Sequence, residues 1–140
     1  MSADTRKIYI THCSAKKNPT FKVTKANVTP DKLYTATTTQ RFMNECKKKG
    51  VYWAIFSDKY GIWFSDVKHE WYEKNPNKIT EEEFNQLVNV FNKSLGAFDE
   101  IYFYHNPGRF HRLYKRLLEG SHLKAKIRLF THLDEISNNR

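Results

Sequence analysis

Residues Val51–Ser57, V-Y-W-A-I-F-S, form an almost unbroken apolar run of strand-forming residues. Gly50 precedes the run, and the polar turn Asp58-Lys59-Tyr60-Gly61 follows it. A strand with one wet face alternates apolar and polar residues. A strand without alternation is buried on both faces, as in parallel sheets covered by helices on each side. The rest of the chain supplies those partners. Lys7–His12, Glu100–Tyr104 and Ala125–Thr131 read as three further strands. Thr38–Lys49 reads as a helix with Phe42, Met43 and Cys46 on one side and Gly50 just past its end. Thr80 followed by Glu81, Glu82 and Glu83 has the form of a capped helix start, and Phe84, Leu87, Val88, Phe91 and Leu95 continue it at helical spacing up to Gly96. Gly108–Glu119 repeats that periodicity through Phe110, Leu113, Tyr114, Leu117 and Leu118. Ala15–Pro30 reads as a polar loop, Asp58–Lys78 as a long aromatic-rich connection, and Asp134–Arg140 as a tail. The expectation is an α/β fold. It is a single three-layer domain over residues 1–140, with a mainly parallel sheet of four or five strands and helices on both faces.

Charge narrows the function. The chain carries 24 Lys and Arg against 15 Asp and Glu, a formal net charge of +9. The surplus is concentrated in residues 1–49, with eleven basic and three acidic side chains, and in residues 105–140, with eight and three. The stretch between them is acidic, with five basic and nine acidic side chains. Such patterning suits a polyanionic partner, RNA or DNA. No run reaches the ~20 apolar residues of a membrane span, so no membrane partner is expected. The start Met1–Lys7 is polar, and two cysteines do not make a disulfide framework. A reduced, cytoplasmic protein is expected. The six histidines form no zinc pattern, with no C-x-x-C and no H-E-x-x-H, so neither a metal nor another cofactor is expected.

Three polar clusters begin where predicted strands end. They are His12-Cys13-Ser14-Ala15-Lys16-Lys17, Ser57-Asp58-Lys59-Tyr60-Gly61 and His105-Asn106-Pro107-Gly108-Arg109. In an open parallel sheet the carboxyl ends of the strands share one edge, where ligands bind. The clusters should therefore converge. Lys16, Lys17 and Arg109 can hold phosphate. Ser14, Ser57 and Asn106 can orient a base, with Lys59 and His105 beside it. Tyr60 and Trp63 can stack on the base, and Gly61 can supply a positive-φ turn. Cys13 can act as a nucleophile with His12 or His105 as base, or it can simply pack at a strand end. Asp58 is the nearest acid and can serve as a general base. Cys46 belongs to the core. Arg109, Arg112, Lys115 and Arg116 extend a basic face along the last helix.

The same residues carry a resemblance. Cys13-Ser14-Ala15-Lys16-Lys17, then Leu33-Tyr34, then Phe42, then Trp53-Ala54-Ile55-Phe56-Ser57-Asp58-Lys59-Tyr60-Gly61 resembles a poorly characterised group of small bacterial, archaeal and phage proteins. That group has the pattern C-S/G-x-K-K, L-Y, F, W-x-I-L-S-A-K-Y/H-G-L, followed by a P-Y-like element to which Trp71-Tyr72-Glu73-Lys74 corresponds. The first motif is also similar to the C-S-x-x-K domain of archaeosine synthases, whose fold is like that of uracil-DNA glycosylases and which act on a base in tRNA. The resemblance implies a nucleobase site with Cys13, Ser14 and Lys17 on one wall and Ser57, Lys59 and Gly61 on the other. His12 stands where that domain has proline, Asn18-Pro19 stands where it has Pro-Tyr, and Asp58 stands where the small-protein group usually has Ala.

The function expected from the sequence is a nucleobase- or nucleotide-binding domain acting on or beside nucleic acid. If it is an enzyme, the chemistry expected is glycosylase- or base-transferase-like. Two alternatives stand beside it. One is a non-catalytic basic module for RNA or DNA. The other is a protein-interaction module of a phage or defence system, presenting Trp63 and Trp71.

Overall fold

The computed structural model describes residues 5–105 and 111–137. Five strands form one sheet: β1 (Lys7–His12), β2 (Trp53–Ser57), β3 (Gly61–Phe64), β4 (Glu100–Tyr104) and β5 (Ile127–Phe130). Their order is β3-β2-β1-β4-β5. Four of them are parallel, and β3 runs antiparallel at one edge. β1 is central, with Ile10 opposite Ala54 of β2 and Phe103 of β4. All five residues of β2 are buried, which is why their sequence does not alternate.

Period-two alternation divides the sheet into two apolar faces. Ile8, Ile10, Ala54, Phe56, Ile101 and Phe103 pack against α4 (Glu81–Leu95) and α5 (Arg112–Gly120). Tyr9, Trp53, Ile55 and Trp63 pack on the other face with Leu33 and Tyr34 and with Phe42, Met43 and Cys46 of α3 (Thr37–Lys49). Helices therefore cover both faces. Gly50 ends α3 in the left-handed conformation, φ 65°. Thr80 and Glu83 cap α4 reciprocally, as the spacing predicts. Among the described residues no helix is long and apolar enough to cross a membrane.

Two segments differ from the expectation. The loop expected over Ala15–Pro30 contains two short helices, α1 (Thr20–Thr24) and the start of α2 (Pro30–Leu33), with Pro30 at the first position of α2. The connection expected after Asp58 returns at once as β3, with Ser57 opposite Gly61 in a tight hairpin. Four residues are too few to display a strand period, so β3 is invisible in the sequence.

Candidate functional site

The parallel strands bring the ends of β1 and β2 to one edge. Cys13 extends the ladder one residue beyond β1, its N–H donating to the Phe56 carbonyl at 2.8 Å. Its Sγ lies 3.1 Å from Tyr114 Oη of α5 and 3.6 Å from Asp58 Oδ1. The first two clusters therefore meet, 45 residues apart in sequence. Asn106 and Arg109 lie outside the described residues, as do Pro107 and Gly108.

Asp58 is 4% exposed. Burial raises its pKa above the usual carboxylate range, opposed by the Cys13 thiol and by the charges of Lys17 and Lys74. Burial, together with the Asp58 charge, pushes the Cys13 thiol up to about 11. At neutral pH Cys13 is thus a protonated thiol that donates to Asp58, and Tyr114 Oη donates to its sulfur. Desolvation thus works against the thiolate form that a nucleophilic Cys13 would need, and fits the alternative of a thiol packed at the strand end. The His12 Nδ1 faces the Cys13 carbonyl at 2.8 Å, and the ring stacks on Tyr114 at 5.0 Å. Burial lowers the His12 pKa and favours the neutral ring.

Ser57 is fully buried. Its Oγ accepts the N–H groups of Lys59 and Tyr60, at 3.1 and 3.0 Å, and donates to Tyr72 Oη at 3.1 Å. Tyr72 Oη in turn lies 2.5 Å from Tyr34 Oη. Two of these bonds shape the β2–β3 turn that carries Asp58 and the third reaches Tyr72, so the hydroxyl is fully engaged within the fold. The Lys17 Nζ sits 4.4 Å from the Tyr72 ring centroid and 5.9 Å from those of Tyr34 and Trp71. An aromatic box thus fixes this ammonium close enough to act on Asp58. Lys16 and Lys59 are exposed. Ser14 is half-buried and accepts from Thr39 Oγ1 at 3.3 Å, which joins the first cluster to α3.

Tyr60 is not an open stacking platform. His69 lies parallel to it at 4.0 Å, the Tyr72 ring abuts it edge-on, and Lys59 lies over it. Trp63 is fully buried, and its indole N–H donates to the Val67 carbonyl. It can neither stack on a base nor present itself to a protein partner, and Trp71 is half-buried. Gly61 has φ 73°, and a Cβ there would stand 2.7 Å from Val90 Cγ1 of α4. Glycine is therefore required for the turn and for close approach to the helix alike. His105 bonds through its N–H to the Phe130 carbonyl and lines a different cavity, of about 560 Å³, between α5 and β5.

A cavity of about 190 Å³ opens beside Asp58. Asp58, Lys59, Tyr60 and Gly61 form one wall, Lys74 contributes to it, and Glu83 and Gln86 of α4 face them. Lys74 and Glu83 form an ion pair. Sequence reasoning missed Tyr34, Tyr72, Tyr114, Lys74 and Glu83 as members of this site. Tyr114 reads as core because it falls on the apolar stripe of α5, and Glu83 reads as a cap, which it also is. No group of three or more potential metal ligands occurs among the described residues.

Comparison of the chain with protein-family models, with curated proteins and with solved structures finds no match.

Proposed function

We propose that this protein binds a nucleobase at the carboxyl edge of its sheet, with Asp58 as the residue that reads it. One observation carries the reading: a buried carboxyl lies between the Cys13 thiol and a small cavity whose lining is half polar and half apolar. The cavity is smaller than the ~300–1,000 Å³ of drug-sized pockets, so it suits one heteroaromatic ring and not a whole nucleotide. Carboxyl oxygens, a carboxamide and two ammonium groups around it offer the mixed acceptors and donors that a base edge requires. A sugar-phosphate would remain outside, toward the exposed Lys16 ammonium group.

The chemistry such a site can perform is proton transfer. A carboxyl whose pKa is raised by burial is suited to general acid–base work. In a glycosylase- or base-transferase-like reaction, of the kind implied by the resemblance to tRNA base-modifying enzymes, Asp58 would take or give the proton at the base. Cys13 and Tyr114 would position the carboxyl. The two free thiols, Cys13 and Cys46, fit a reducing, cytoplasmic setting.

A thermal-shift panel of free bases, nucleosides, nucleotides and phosphate tests the reading. A base present at a hundred times its dissociation constant stabilises by ~2.7 kcal/mol, a shift of several degrees for a chain of this size. Free bases are expected to shift the wild type and not Asp58→Asn. If no small ligand shifts the wild type, or if Asp58→Asn responds equally, the base site is wrong.

A further inference from the structure

The two helical layers differ in charge. In α4 and α5 together, four basic side chains stand against four acidic ones. Arg116, assigned in the sequence to a basic face, is occupied: it pairs with Glu81 at 2.8 Å and lies 3.9 Å over the Phe84 ring. On the other side of the sheet, residues 14–49 carry nine basic side chains and two carboxylates, Asp31 and Glu45. Both carboxylates are already matched, Asp31 by Lys47 and Glu45 by Lys49. Lys16, Lys32, Arg41 and Lys48 are exposed and have no ion-pair partner among the described residues.

These four cations belong to one connected layer. Arg41 and Lys48 stand two turns apart on the solvent side of α3, opposite Phe42, Met43 and Cys46. Lys32 lies on α2, which is tied to α3 by the Lys47–Asp31 pair and by Gln40 Nε2 donating to the Asp31 carbonyl at 2.9 Å. Lys16 lies on the loop hydrogen-bonded to the end of α2, Thr35 N–H to Lys16 O and Asn18 N–H to Leu33 O. That loop begins at Cys13 and Ser14, at the edge where the cavity lies. Carboxylates flank this face at its two ends: Asp66, Glu70 and Glu73 beyond α1, where Lys22 is paired with Glu73, and Asp134 and Glu135 on the turn that Lys49 of α3 contacts through the Asp134 and Ile136 carbonyls.

We propose that the solvent face of α2 and α3, continued through Lys16, is the surface along which a nucleic-acid backbone runs to the Asp58 cavity. The inference rests on the nucleic-acid part of the function proposed above. It moves the phosphate contacts from α5 to the opposite layer. α3 is about 20 Å long at 1.5 Å per residue, matching roughly six phosphates of one duplex strand. Four cations each neutralising one phosphate give a slope of log K against log salt of about −2.8 on a single strand and about −3.6 on a duplex.

The experiment is fluorescence anisotropy with a labelled RNA of about 20 nucleotides, single-stranded and as a duplex, over roughly 50–200 mM salt. It compares the wild type with Arg41→Ala/Lys48→Ala and with Arg112→Ala/Lys115→Ala on α5. The α3 pair is expected to weaken binding and to flatten the slope by about 1.4–1.8, with the α5 pair left near wild type. Lys32→Ala is the second test, expected to flatten the slope by about half as much. All the substituted residues are exposed, and circular dichroism verifies that each variant is folded. The proposal is overturned if the α5 pair loses as much as the α3 pair, if the wild type does not bind RNA, or if it binds only phosphatidylserine vesicles. The base panel with Asp58→Asn reads the cavity separately, so RNA binding by α3 without a base response sinks the base site alone. A base response with no dependence on α3 sinks this surface alone.

Discussion

The two layers that sandwich the sheet are built in different ways. The α4 and α5 side is held almost wholly by apolar packing: Phe84, Leu87, Phe91, Leu95, Leu113, Leu117 and Leu118 close over Ile8, Ile10, Phe56 and Phe103. The opposite side joins one long helix, α3, to the two short helices α1 and α2 and to loops, and carries a chain of buried hydroxyls in its core. Tyr34, Tyr72 and Ser57 form a hydrogen-bonded chain, and Lys17 is boxed in by aromatic rings. Long amphipathic helices bury enough apolar surface to dock without polar help. The loops and one-turn helices that complete the α3 layer must satisfy their backbone and fix their geometry through specific hydrogen bonds. The candidate site lies where the second kind of layer meets the first. Asp58 and Ser57 come from the polar side's turn, and Tyr114 and Glu83 come from the apolar side's helices.

The largest effect expected is on the apolar side. Phe91 is fully buried and packs against Phe56 at 5.9 Å. Phe91→Ala should cost about 3–5 kcal/mol in urea unfolding, because the surrounding helix and sheet cannot close the void. The loss should be the same at every pH where the wild type is folded. A loss below 2 kcal/mol, or one that varies with pH, would show that this layer is not held by packing alone (the threshold being the lower end of roughly 2–5 for large-to-small core changes).

On the polar side, Tyr72→Phe leaves the hydroxyls of Ser57 and Tyr34 each short of a partner. A cost of about 1–3 kcal/mol is expected. Tyr34→Phe combined with Tyr72→Phe should cost less than the two single changes summed, since the double variant removes two members of the chain together. Additive losses would mean that the hydroxyls act independently and that the chain is only a geometric coincidence.

A smaller effect, but one more closely tied to the site, concerns Asp58. Its folded pKa is raised above the ordinary 3.8, so the folded state holds the proton more tightly than the unfolded state does. Its contribution is therefore fully present below the ordinary value and is lost as pH rises through the folded pKa. Asp58→Asn stays neutral throughout. Relative to the wild type it should gain stability from acid toward neutral pH, a trend that melting curves across the range would reveal. A flat difference would place the carboxyl in contact with water.

Cys13 offers the finest discrimination. With its thiol at about 11, alkylation by iodoacetamide at about pH 8 should be slow and should quicken as pH rises. Asp58→Asn removes the carboxylate charge that opposes the thiolate and should speed the reaction at fixed pH. Mass spectrometry of the modified peptide gives both rates. Rapid labelling of the wild type at neutral pH would restore Cys13 as a nucleophile and reverse the assignment of roles between it and Asp58.

Local patterns in the chain suffice to place the parallel strands, the helical layers and the edge at which polar residues collect. The unbroken run 51–57, the Thr80–Glu83 cap and the apolar stripes of 81–95 and 112–118 are local patterns, and burial on a sheet is what produces them. The sequence also marked Cys13 and Asp58, because parallel strands must place their carboxyl ends together. What surrounds those residues follows from contacts between distant parts of the chain. β3 is too short to show a period, so the hairpin that turns Asp58 inward was hidden. Ser57 became a turn former, Trp63 a core residue and Tyr60 a packed ring, because contacts with Tyr72, Val67 and His69 consumed the groups a ligand would need. The elevated pKa of Cys13 and the balanced charge of the α4–α5 layer have the same origin. Burial and pairing depend on what folds over a residue from elsewhere in the chain, and no local pattern encodes that.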